Sequence, residues 1–190
     1  MKRLFIGIPV QSETALHWVD HWCNDKSLNE NRMTWTNPPT WHVTLFFLGA
    51  TPWEQVALLE QMIKEAFSQV QPFTTNLNGV GVFPEIGKPR VLWMGLYDLH
   101  ALDAAYSHLG KLLQEYDLLF DPKPLKPHLT LARVKNLVNR PLLDAWLKTY
   151  RFEDFGPVDV NRVTLFESLS TPSGVIYQPL FERWLMKVYG

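Results

Sequence analysis

The sequence predicts an α+β fold. Three observations carry that prediction: apolar stripes of helical period, short β-rich runs lying between them and partly in pairs, and a His-x-Thr-Leu tetrad that occurs at two distant points. The 190 residues are 46% hydrophobic, 13% aromatic and 19% charged. A chain this apolar buries enough surface to offset the entropy of ordering it. Length and composition suit one globular domain over residues 1–190, or two small lobes sharing a core.

The chain opens with Lys2-Arg3-Leu4-Phe5-Ile6-Gly7-Ile8. Its basic start is that of a signal peptide, but the apolar run is short and no small-residue cleavage site follows, so Leu4 to Ile8 is predicted as a first strand. No run approaches the roughly 18 apolar residues needed to span a membrane, and no membrane partner is expected. Leu16, Val19 and Trp22 then mark a short helix, and Val43 to Leu48 a strand. Thr51-Pro52-Trp53-Glu54 has the form of a capping box, opening a helix whose stripe is Val56, Leu59, Ile63, Phe67 and Val70. Val91 to Leu96 is the next strand. A helix follows Asp98, with Leu102, Ala105, Leu109, Leu112 and Tyr116 on one face. Leu129 to Val134 is a strand, and Asn139-Arg140-Pro141 opens a helix bearing Leu142, Leu143, Trp146, Leu147 and Tyr150. Strands at Val163 to Phe166 and Val175 to Tyr177 flank the turn-forming residues 170–174, and a last strand is expected at Trp184 to Val188.

Charge and cysteine usage narrow the function classes. With 18 basic against 19 acidic residues the formal charge is −1, so composition offers no basic excess of the kind a long duplex footprint needs. A local anion site is compatible with it. Cys23 is the only cysteine, which excludes an internal disulfide framework and a zinc site built on several thiolates, and fits a reducing, cytoplasmic setting.

The chemistry lies in the repeated tetrad, at His42-Val43-Thr44-Leu45 and His128-Leu129-Thr130-Leu131. On a strand, alternate side chains share a face, so His42 points with Thr44 and His128 with Thr130. Phe46 and Ala132 continue those faces, and Val43, Leu45, Leu129 and Leu131 turn to the core. One His-x-Thr is an ordinary half-buried strand; two in a matching context are harder to dismiss. Imidazoles titrating near about 6.5 supply an acid and a base in one turnover. Threonine hydroxyls hydrogen-bond the non-bridging oxygens of a phosphate. Two of each, converging from two lobes, suit in-line displacement at phosphorus, where a placed acid or base contributes roughly 10² to 10⁴ in rate. That scheme needs no metal or other cofactor. A shared metal is the weaker reading, because neither tetrad has a second ligand at a familiar spacing. His17 and His21 sit four apart on a helix, where a solvated face is the better reading, and His100 and His108 also default to the surface.

With those residues in view, the sequence resembles the two-histidine phosphoesterase superfamily, and within it the bacterial and archaeal RNA 2′,3′-cyclic phosphodiesterases, historically called 2′-5′ RNA ligases. The resemblance rests on His42 to Gly49 and Pro127 to Arg133, and extends to Arg3 to Ile8, Gly81 to Pro84, Pro89 to Trp93, Leu165 to Ser168 and Gly174 to Leu180. It implies a bilobal fold of two pseudo-symmetric lobes, with antiparallel sheets flanked by helices around a central cleft. It further implies metal-independent opening of a terminal 2′,3′-cyclic phosphate to a 2′-phosphomonoester, with RNA ends or nucleotides as partners of a monomer.

By the same resemblance His42 is the acid for the departing O3′, His128 the base for water, and Thr44 and Thr130 hold phosphate. Arg133 matches an arginine that often follows the second tetrad, although strict alternation points it away from His128 unless a bulge redirects it. Phe46 is a candidate platform for the terminal base. Trp41 stands where relatives commonly have Leu. Three alternatives stay open at this point: a nucleotide- or RNA-end-binding module without turnover, a phosphodiesterase of small cyclic nucleotides, and reversible 2′-5′ ligation.

Overall fold

Side-chain caps decide where two of the helices begin. In the computed structural model, which describes residues 1–25, 28–85, 87–172 and 174–186, α1 (Glu13–Asn24) starts where Ser12 Oγ accepts from the amide of Ala15. Likewise α4 (Arg140–Thr149) starts where Asn139 Oδ1 accepts from the amide of Leu142, with Pro141 in the first turn. The capping box read at Thr51 does not form. Thr51 ends strand β3 (His42–Thr51) and its hydroxyl donates to Gly49 O, so a 3-10 turn at Trp53–Gln55 leads into α2 (Val56–Ala66) instead. A similar turn at His100–Leu102 precedes α3 (Asp103–Glu115).

Among the described residues the remaining strands are β1 (Lys2–Pro9), β2 (Arg32–Trp35), β4 (Phe73–Phe83), β5 (Val91–Leu96), β6 (His128–Asn136), β7 (Asp154–Val160), β8 (Arg162–Thr171) and β9 (Gly174–Trp184). Three of these escape the sequence pattern. β2 is short, β4 carries Asn76, Asn78, Gly79 and Gly81, and β7 carries Gly156-Pro157, all of which weaken a strand signal. β7 lies at the sheet edge, where proline costs least. The two strands expected at Val175 to Tyr177 and from Trp184 onward are one: β9 runs unbroken to Trp184, with a bulge opposite Leu165/Phe166 that accommodates Pro179. Lys187 and Val188 lie outside the described residues, as does Ser173 in the turn.

The sheet order is β7-β4-β5-β6-β3-β1-β8-β9, with every neighbouring pair antiparallel and β2 added to β6. The chain runs β-α-β-α-β twice, as β1-α1-β3-α2-β4 and β5-α3-β6-α4-β7, apart from the short β2, and closes with the β8–β9 hairpin. The two passes exchange parts. β4 belongs to the first pass but pairs with β5 and β7 of the second, while α1 packs against β7 and α3 against α2. The two lobes, β9-β8-β1-β3 and β6-β5-β4-β7, are therefore each composite.

One contiguous apolar core runs through both lobes, with an aromatic cluster in each. Trp22, 1% exposed, meets Trp146, Tyr150 and Phe155 edge-on at centroid distances of 4.9, 5.2 and 5.4 Å. In the other lobe Phe46 stacks on Tyr106 of α3 at 4.5 Å. Among the described residues no helix is long and apolar enough to cross a membrane.

Candidate active site

The lobes meet where β3 and β6 touch, and the register has a single Cα pair, Val43 opposite Leu129. These two residues are 0% and 1% exposed, so they face the core and turn their sequence neighbours to the opposite side. That register sets His42 across from Thr130 and Thr44 across from His128. The two His-x-Thr pairs thus share one face, related by an approximate two-fold through the Val43–Leu129 pair.

The rings are pinned in the same way. His42 Nδ1 lies 2.8 Å from Thr40 O, and His128 Nδ1 lies 2.6 Å from Lys126 O, each the carbonyl two residues back. A carbonyl only accepts, so each Nδ1 carries the hydrogen, and each Nε2 is left to take or give a proton. Burial lowers the pKa of both imidazoles. For His42 the carbonyl hydrogen bond opposes that shift and the charge of His128 adds to it; for His128 the carbonyl bond alone opposes. Both rings are therefore held toward the neutral form.

A bulge at the same place in each strand decides what else reaches the cleft. Opposite β1, Ile6 pairs with Phe46 and Gly7 with Thr44, so Leu45 is an extra residue in β3; opposite β5, Leu92 pairs with Ala132 and Trp93 with Thr130, so Leu131 is extra in β6. Alternation reverses there. Phe46, expected on the cleft face, is instead 3% exposed in the core against Tyr106, and Phe47 at 37% takes the outward position. Ala132 is buried for the same reason, and Arg133 turns outward into the cleft. The redirection that Arg133 needed is present.

A cleft of about 710 Å³ takes in His42, Thr44, Thr130 and Arg133, with Phe47 and Tyr177 on its walls. His128 is not among its lining residues; its ring stands beside it, edge-on to Phe83 at 4.9 Å and 6.5 Å from Trp93. His42 has a tighter aromatic setting: Phe5 at 4.6 Å, Tyr177 at 4.7 Å and Phe166 at 6.0 Å. The cleft also takes in Arg3 and Lys135, and none of its lining residues, among those described, is acidic. Sequence reading missed these aromatics and both cations. The spacing Val43, Leu45, Phe46, Leu48 and its copy Leu129, Leu131, Ala132, Val134 carried the signal, since adjacent apolar pairs break strict alternation.

Trp41 ties the floor together. It is 5% exposed, its Nε1 donates to Thr36 Oγ1 at 3.1 Å, and Thr36 Oγ1 donates to Thr130 O at 2.8 Å. The segment before the first tetrad is thereby fastened to the backbone of the second. His17 and His21 are exposed on α1, while His100 pairs with Asp103 and His108 with Glu65 at the surface.

Comparison with known proteins gives the family and agrees with the fold. The family model of the 2′-5′ RNA ligase superfamily matches residues 18–172. The RNA 2′,3′-cyclic phosphodiesterase of Archaeoglobus fulgidus is 35% identical over 143 residues, covering 75% of this chain and 78% of that protein. Among solved structures, TT0787 of Thermus thermophilus superposes with a TM-score of 0.77 at 27% identity over 96% of this chain and 97% of its own. Escherichia coli LigT complexed with 3′-AMP superposes with a TM-score of 0.75 at 22% identity over 98% of this chain and 99% of its own. The fold, the paired tetrads and the extent of these matches lead to one assignment: the chain belongs to the 2′-5′ RNA ligase superfamily.

Proposed function

We propose that the protein is an RNA 2′,3′-cyclic phosphodiesterase that opens a terminal cyclic phosphate to a 2′-phosphomonoester. The observation that carries the reading is the single-pair junction of β3 and β6, which aligns two imidazoles with Nδ1 occupied and Nε2 available. Relatives named for this activity, at about a third identity over most of the chain, support it.

In the proposed reaction neutral His128 takes a proton from water through Nε2 as the water oxygen attacks phosphorus. Protonated His42 gives its Nε2 proton to O3′ as the P–O3′ bond breaks. The phosphate stays on O2′. His128 ends protonated and His42 neutral, and proton exchange with solvent restores the starting pair. Thr44, Thr130 and Arg133 hold the non-bridging oxygens, where charge builds in the transition state. Burial disfavours the imidazolium that the acid requires, and the anionic phosphate, once bound, draws a proton back onto it. Phe47, rather than Phe46, is the outward aromatic available to a nucleobase.

The test is incubation of the purified protein with RNA ending in a 2′,3′-cyclic phosphate, in chelator, followed by product mapping. A 2′-phosphate end is the expected product. Unaltered ends across the pH range, or a 3′-phosphate, overturn the proposal.

A further inference from the structure

A nucleoside 2′,3′-cyclic phosphate carries one negative charge, yet the cleft offers it three permanent cations, Arg3, Arg133 and Lys135, and no lining carboxylate among the described residues. Arg3 is engaged, its Cζ lying 5.1 Å from the centre of the Phe47 ring. Arg133 and Lys135 are in no ion pair with a described residue. They are two apart on β6 and both line the cleft, about 6.6 Å apart along the strand. Across from them β2 is fixed in register, with Thr34 opposite Arg133 and Lys135 an extra residue facing the Arg32/Met33 step. The start of β2 is anchored by fully buried Asn31, which accepts from the amides of Val138 and Asn139.

From this surplus of fixed positive charge we infer that Lys135, with Thr34 beside the Arg133 step, forms a subsite for the internucleotide phosphate upstream of the cyclic end. The inference rests on the phosphodiesterase reading and sharpens it: the substrate is an oligonucleotide end rather than a free cyclic mononucleotide. Lys135 is a specificity residue on this account, acting on how the upstream chain is held. The reacting phosphate is served by Arg133 and the threonines.

The experiment compares kcat/KM for a short RNA ending in a 2′,3′-cyclic phosphate with that for the nucleoside 2′,3′-cyclic monophosphate of the same terminal base, over a salt series. Wild type is expected to prefer the RNA. Lys135→Gln is expected to lower the RNA-to-mononucleotide ratio roughly fivefold, mostly through KM, and to flatten the salt slope for RNA by about 0.7. Lys135→Arg restores both. An unchanged ratio in Lys135→Gln, or no preference for RNA in wild type, overturns the inference. Anisotropy binding of a fluorescent RNA bearing a 2′-phosphate end gives a second readout. If wild type turns over neither substrate, binding that still weakens in Lys135→Gln sustains the subsite while the hydrolytic reading falls, and binding indifferent to Lys135 ends both.

Discussion

The two lobes present the same backbone device and different side chains. In each, a strand brings His and Thr to the cleft, pins the ring to the carbonyl two residues back, and bulges at the third residue after the histidine. At the outward position after the bulge, the first lobe has an aromatic ring, Phe47, and the second a guanidinium, Arg133. Around the histidines the contrast continues: His42 is enclosed by Phe5, Phe166 and Tyr177, and His128 by Phe83 and Trp93. In the proposed mechanism the shared geometry supplies the acid–base pair, and divergence after the bulge supplies a stacking side and a phosphate side. A symmetric scaffold has thus been given a direction.

The sharpest way to test that division is to remove one histidine at a time. His42→Ala and His128→Ala should each lower kcat by roughly 10² to 10⁴ while leaving product affinity nearly intact. Single-turnover rates and binding titration separate the two quantities. Equal losses in rate and affinity would make the histidines binding groups only.

The bulge is tested by neighbouring phenylalanines. Phe46→Ala removes a ring packed on Tyr106 and should cost about 3 to 5 kcal/mol of stability, measured by denaturant unfolding. Phe47→Ala should leave stability close to wild type and raise KM. If the two phenotypes were exchanged, the phase reversal assigned to β3 would be wrong.

On the other lobe, the indole of Trp93 lies so close over Gly81 that a Cβ there would overlap its ring. Gly81→Ala therefore displaces Trp93 beside His128, and kcat/KM is expected to fall by up to about 10²-fold. Adding Trp93→Phe, a smaller ring, should recover part of the loss. No recovery would place the effect in the fold rather than the histidine.

A pH profile gives the smallest and most specific effect. Both imidazoles are lowered from the usual value, so the protonated acid is lost at lower pH than an exposed histidine would lose its proton. Both limbs of the kcat/KM profile should lie on the acid side of those for ordinary imidazoles near about 6.5, and the kcat profile, with anion bound, should shift back up. Replacing His128 by Gln should raise the His42 titration slightly, as followed by NMR, because burial is the larger cause.

Much of this was legible in the residues and some was not. The tetrads, the strands bearing them and most of the helical stripes are local patterns and appear where expected; Leu16 and Tyr116, read into stripes, are instead exposed, and Val70 lies beyond the end of α2. Phe46 misled because alternation was extended through a bulge, which depends on pairing with β1 and leaves only the adjacent apolar pair as its trace. Arg133 needed that same bulge, and its outward turn was stated as a condition without being predicted. Strands β4 and β7 stayed hidden behind glycine, asparagine and proline, whose tolerance there depends on tertiary neighbours. Tyr177 and Lys135 carry no local mark of the cleft; only the sheet order brings them to it.

The exchange of parts between the two passes of the chain bears on how the protein can be divided. Cutting it between β4 and β5 leaves a front piece whose β4 has lost both sheet partners, and a rear piece whose β8 has lost β1. Neither piece is a lobe, and each carries one of the two tetrad histidines, His42 in front and His128 behind. On the proposed mechanism a split version would stay inert until its fragments reassembled, which makes the exchanged strands a lock that joins the two proposed catalytic histidines.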